Sequence, residues 1–84
     1  MQTAPTPENT GQEFQTSDLH LAAYLLTVGR PLRRMNGAGS RHTFTFANVA
    51  ASDVTGFYSG AQVDARLLLS SLRDLKGLMH EARR

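Results

Sequence analysis

Four arginines and a histidine fall within residues 29 to 46, GRPLRRMNGAGSRHTFTF, and no acid falls among them. Arg30, Arg33, Arg34 and Arg41 carry planar guanidinium forks, which engage phosphate oxygens two at a time. Thr43 and Thr45 follow Arg41 at alternate positions and add hydroxyls of the kind that contact a phosphate backbone. All seven acids of the chain lie outside residues 19 to 52, so the stretch is strongly basic although the net charge is only +2. The chemistry in view is the gripping of a polyanion, because a β-hairpin can enter a groove or lie along a backbone. The competing reading is that arginines and threonines keep an exposed strand from pairing with a neighbour. In that reading Asp53, Asp64 or Asp74 neutralises the charge from the helices behind.

Other chemistries find less to work with. The three histidines, His20, His42 and His80, fall on three different expected elements, not at the short fixed spacing of a local metal motif. No serine sits in a glycine-flanked nucleophile motif. NGAGS lacks the lysine and the following helix of a phosphate-binding loop. The acids are scattered and form no paired-carboxylate pattern. The expectation is a chain with no catalytic residues, no cofactor and no metal.

The elements that must position the arginines are legible from periodicity. In TSDLHLAAYLLTVGRP, Leu19, Ala22, Ala23 and Leu26 recur at helical spacing, and Leu21, Leu25 and Val28 widen the stripe. Ser17 is expected to cap this helix, with Asp18 favoured by its dipole, and Gly29 and Pro31 to end it. His20, Tyr24 and Thr27 are expected to form one narrow exposed strip. Residues 32 to 36 and 41 to 47 read as strands around the Asn36-Gly37 turn signal. His42, Phe44 and Phe46 should face the core, and Arg41, Thr43 and Thr45 the outside. Leu32 and Met35 fall on opposite faces of a regular strand, which a bulge or a very short first strand would explain. Arg33 or Arg34 is expected to approach Arg41 across the hairpin, with Arg30 extending the patch.

A short helix capped by Asn48 or Ser52 should run to about Ser59, with Gly60 ending it. The last helix, capped by Asp64, carries a stripe of Leu68, Leu72, Leu75 and Met79, flanked by Leu67 and Leu78. Arg66, Ser70, Arg73 and His80 fall on its far side. Glu13 to Thr16 reads as a short extended piece with Phe14 turned inward. The fold class is therefore α+β, a single small domain over residues 13–82 in the order helix, β-hairpin, helix, helix, with the helices on one face of the hairpin. Residues 1–12, MQTAPTPENTGQ, have almost nothing to bury and are expected to form a disordered tail.

Bulk composition agrees with a globular chain: 40% hydrophobic, 19% charged and no cysteine among 84 residues. Neither disulfides nor thiolate metal sites can staple it, so packing within the chain or against a second copy must do so. No apolar run reaches the length of a membrane span, and the polar start has no leader pattern, so a cytoplasmic protein with no membrane role is expected.

TSDLHLAAYLL near the start, TFTF in the middle, and FYSG followed by VDAR and LRDLKGLM at the end resemble a family of short bacterial proteins of unknown function. The resemblance spans roughly residues 13 to 80 and implies no activity, substrate or cofactor. It marks Asp64, Arg66 and the Leu75-Lys76 pair as parts of a shared pattern.

The functional expectation is a small non-enzymatic binding module. The first candidate is an accessory nucleic-acid-binding or regulatory protein using Arg30, Arg33, Arg34, Arg41, Thr43 and Thr45. The alternative is a protein–protein interaction module or homodimer with no nucleic-acid role, whose charges only solubilise it.

Overall fold

Phe44 and Phe46 are almost wholly shielded from solvent, and they sit two apart on a strand whose side chains alternate between faces. That strand is the centre of the domain. The computed structural model describes residues 13–38 and 41–82; the expected tail over residues 1–12 lies outside them. Along the chain the elements are β1 (Glu13–Thr16), α1 (Leu19–Thr27), β2 (Leu32–Ala38), β3 (Arg41–Ala47), α2 (Ala51–Tyr58) and α3 (Ala65–Ala82). The sheet is antiparallel with the order β1-β3-β2. The helices cover the face that carries Phe44 and Phe46, and Leu21, Ala22, Ala23, Tyr24 and Leu25 of α1 and Leu75 of α3 complete the buried cluster. The architecture is the expected α+β domain, and the extended piece at Glu13–Thr16 is a true third strand.

Leu32 pairs with Phe46 and Arg34 with Thr45, so Arg33 is an extra residue on β2. Of the two explanations the sequence left open, this is the bulge, on a strand of seven residues, and it lets Leu32 and Met35 both pack against the core. Gly29, at φ 93°, closes α1 in the left-handed conformation that glycine adopts at least cost.

Several local details differ from expectation. Asp18, not Ser17, caps α1, its carboxylate accepting from the backbone N–H groups of His20 and Leu21 at 2.9 and 3.2 Å. Ser17 Oγ instead lies 3.3 Å from Thr43 Oγ1. The strip His20, Tyr24, Thr27 is not exposed as a whole. Tyr24 is buried, with its ring 5.4 Å from that of Phe57 on α2. Thr27 is half-buried, donating to Ala23 O at 2.8 Å and lying beside Ser71 of α3. Only His20 stays exposed. Asn48 does not cap α2; at φ 61° it turns the chain out of β3, and Ala50 precedes the helix. With no oxygen on the Ala50 side chain, the helix start is tied from inside by Asp53, which accepts from Ala50 N–H at 2.9 Å.

α3 follows its expected stripe. Asp64 caps it by accepting from the N–H groups of Arg66 and Leu67 at 2.9 and 3.1 Å. Leu75 is fully buried, and Leu68, Leu72 and Met79 pack partly buried around the core. Leu67 and Leu78 are exposed instead of joining the stripe. No helix among the described residues is long and apolar enough to cross a membrane.

Two substitutions on α3 should separate core from surface in urea unfolding. Leu75→Ala should cost about 2–5 kcal/mol, because its site is fully enclosed. Gly77→Ala should stabilise by about 0.5–1 kcal/mol, since an added methyl meets open space and restricts the unfolded chain.

Candidate functional site

The arginines of the hairpin do not form one patch. In an antiparallel hairpin the start of the first strand lies opposite the end of the second. Arg34 therefore registers with Thr45, and Arg41 with Ala38 at the other end. Four residue steps along the strand separate the two positions, about 13 Å. The expected approach of Arg33 or Arg34 to Arg41 is overturned by that register.

Two of the four arginines are matched by carboxylates. Arg30, on the loop after α1, donates from Nη2 to Asp53 Oδ1 at 3.0 Å and holds its Nε 2.9 Å from Oδ2. Burial alone would raise the Asp53 carboxyl, but the Arg30 hydrogen bond, the Ala50 N–H and the Arg30 charge together hold it below its ordinary value. Asp53 is thus the neutralising helix residue the sequence offered as a candidate; neither Asp64 nor Asp74 forms an ion pair among the described residues.

Arg34 donates from Nη1 and Nη2 to the two carboxylate oxygens of Glu13, at 3.2 and 2.8 Å. Those hydrogen bonds draw Glu13 below its ordinary pKa against a small opposing effect of burial, with the charges of Arg34 and Arg33 adding to them. The pairing in turn raises Arg34. Glu13 belongs to β1 and Arg34 to β2, so their bridge crosses over β3 between Thr45 and Ala47, their register partners. Both of those residues are buried on the sheet face away from the helices. Thr45 points outward as expected, yet it is 0% exposed and cannot reach a phosphate. Its hydroxyl has no hydrogen-bond partner among the described residues. Thr43 is half-buried beside Ser17.

Arg33, on the bulge, and Arg41, at the start of β3, are exposed, and neither forms an ion pair among the described residues. Near Arg41 a shallow groove is lined by Ser17, Leu19, His42, Phe44 and Met79. His42 is buried on the core face, as the alternation of its strand predicts, and its ring packs so closely on Gly37 that a Cβ there would come within 3.0 Å. The three histidines remain on separate elements, and no group of three or more His, Cys, Asp or Glu among the described residues is placed to hold a metal ion.

A different set of residues, outside the expected contact set, stands exposed on the helices. Tyr58 is 68% exposed, Leu67 56%, Leu69 63% and Leu78 41%, so α2 and α3 present large apolar side chains to solvent. The signal was present in the LLL run at positions 67–69, since three consecutive leucines on a helix cannot all face one core.

Comparison with protein-family models, with curated proteins and with solved structures finds no match to this chain. The roles of Asp64 and Arg66 therefore rest on geometry: Asp64 is a helix cap, and Arg66 is exposed on the first turn of α3.

Two outcomes follow for the paired and buried groups. Thr45→Val replaces an unpartnered buried hydroxyl by a methyl of the same shape and should raise unfolding free energy by about 1 kcal/mol. Denaturant titration of the variant checks it. Asp53→Asn should cost about 1–2 kcal/mol at neutral pH, discounted for the partial exposure of Arg30. Because the folded carboxyl is held below its ordinary value, this contribution is complete above about pH 4 and disappears as pH falls through the lowered value. Unfolding curves of wild type and variant should therefore converge in acid and separate toward neutrality.

Proposed function

We propose that this chain is a non-enzymatic interaction module that meets its partner through the helical layer and not through the arginine hairpin. The observation that carries the reading is the exposure of Tyr58, Leu67, Leu69 and Leu78 on α2 and α3. A domain of this size has little apolar surface to spare, and large apolar side chains left exposed on two helices supply contact area, Leu69 on one flank of α3 and Leu67 and Leu78 on the other. The hairpin offers less than its sequence promised: Arg30 and Arg34 are engaged by Asp53 and Glu13, and Thr45 is buried. The dispersal of the histidines over α1, β3 and α3 supports a binding role over a catalytic one.

A nucleic-acid role is the second reading, favoured by the exposed Arg33 and Arg41, which form no ion pair among the described residues, with half-buried Thr43 on the strand between their two ends of the hairpin. The two readings separate by salt. Fluorescence anisotropy against mixed-sequence DNA and RNA at several salt concentrations should show no saturable binding at about 0.15 M salt, and at low salt a log–log slope no steeper than about −2. Saturable binding at that ionic strength with a slope of about −3 to −4, flattened by Arg33→Ala and Arg41→Ala, would replace the module reading with the nucleic-acid one.

A further inference from the structure

We propose that a trough between α1, α2 and α3 seats a short acidic amphipathic helix from a protein partner. This rests on the module reading above and names the class of partner. The trough begins as an apolar depression lined by His20 and Ala23 of α1, Phe57 of α2, and Leu68, Leu69 and Leu72 of α3. A second depression, lined by Leu69, Leu72, Arg73 and Lys76, shares two of those leucines, so the two run together along one flank of α3. Tyr58, exposed and in edge contact with the Phe57 ring at 5.0 Å, extends the apolar surface beyond it.

Charge on α3 is segregated around this trough. Leu69, Arg73, Lys76 and His80 recur at i, i+4, i+7 and i+11 and form one stripe bordering the core stripe. Leu67, Asp74, Leu78 and Glu81 form another stripe on the opposite border. Both acids of α3 therefore lie away from the trough, and Arg73 and Lys76 are exposed with no ion-pair partner among the described residues.

The occupant follows from shape and sign. From Leu69 to Lys76 the flank is about 10 Å long, two helical turns. That length accepts apolar anchors at i, i+3 or i+4, and i+7, the pattern by which a helix lies in a groove. Cations along one border select a helix with acids beside its apolar face. A lipid surface would call for apolar side chains standing proud with cations on both sides; here they line a depression and the opposite border is acidic. A second copy offering its Leu67–Glu81 stripe would make a head-to-tail contact, not the self-complementary two-fold contact of the commonest dimers.

The test uses the full chain, ¹⁵N-labelled, and a synthetic helical peptide of about twelve residues with leucines at i, i+3 and i+7 and glutamates elsewhere. A second peptide carries lysines in place of the glutamates. The glutamate peptide should shift the amides of Ala23, Phe57 and residues 68–76 saturably, and the lysine peptide should not. Arg73→Glu with Lys76→Glu should weaken the glutamate peptide about tenfold and bring the lysine peptide into the same site. Both side chains are exposed, so the variant's amide spectrum should keep its dispersion. The proposal is overturned if the glutamate peptide produces no saturable shifts or if both peptides bind alike. It also falls if the same amides shift on raising protein concentration alone, which would mean a second copy, or respond only to phosphatidylglycerol vesicles, which would mean a membrane seat. Shifts confined to the Leu67 and Leu78 border would overturn the trough while leaving the module reading standing.

Discussion

β3 is the strand on which every other element depends. It is paired along both edges, and its alternating Phe44 and Phe46 supply the surface that α1 and α3 cover. A slip of one residue would turn both phenylalanines to the outer face and bring Thr43 and Thr45 against the helices, so the register is held by burial as much as by hydrogen bonds. The same position explains what became of the hairpin's charge. Because β1 and β2 flank β3, a glutamate from one and an arginine from the other meet above it, and the central strand carries only small residues, Thr45 and Ala47, beneath them. The sheet order, not the local composition, decides which cations remain open.

Asp53 shows how one side chain can serve two elements. Its carboxylate ties the first turn of α2 through Ala50 N–H and anchors the loop after α1 through Arg30. α2 has only two turns, no side-chain cap and a glycine at position 56, so its intrinsic helix preference is weak. The ion pair and the contact of Phe57 with Tyr24 hold the helix where propensity would not. Charged partners near a surface contribute modestly as energy; here they also fix the direction in which α2 leaves the sheet.

Features that depend on a residue and its near neighbours were legible in the chain. The alternation of β3, the stripe of α3, the Asp64 cap, the left-handed Gly29 and the bulge between Leu32 and Met35 all arise within a few residues of their cause. What was not legible depends on partners distant in sequence. Tyr24 looks polar-facing until α2 covers it, and Arg34 looks free until Glu13 arrives from another strand. The expected meeting of Arg33 or Arg34 with Arg41 was a topological error, since both arginines open their strands and antiparallel strands place their openings at opposite ends. Which leucines of α3 stay exposed was not legible, because a leucine-rich helix in a small domain reads equally as core or as a partly exposed contact face.

The sheet's two ladders form on different terms. β2 and β3 are neighbours in the chain and can pair as soon as both exist. β1 has four residues and precedes α1, yet its only strand partner among the described residues is β3. Of the three strands β1 is made first, and it must wait through a helix and β2 before β3 is there to pair with. Its Phe14 and the Glu13 carboxylate then lock onto a sheet already half built. The first of the three strands to be made is thus the one that must wait longest for a partner, and the bridge from Glu13 to Arg34 can close only once β2 is made as well.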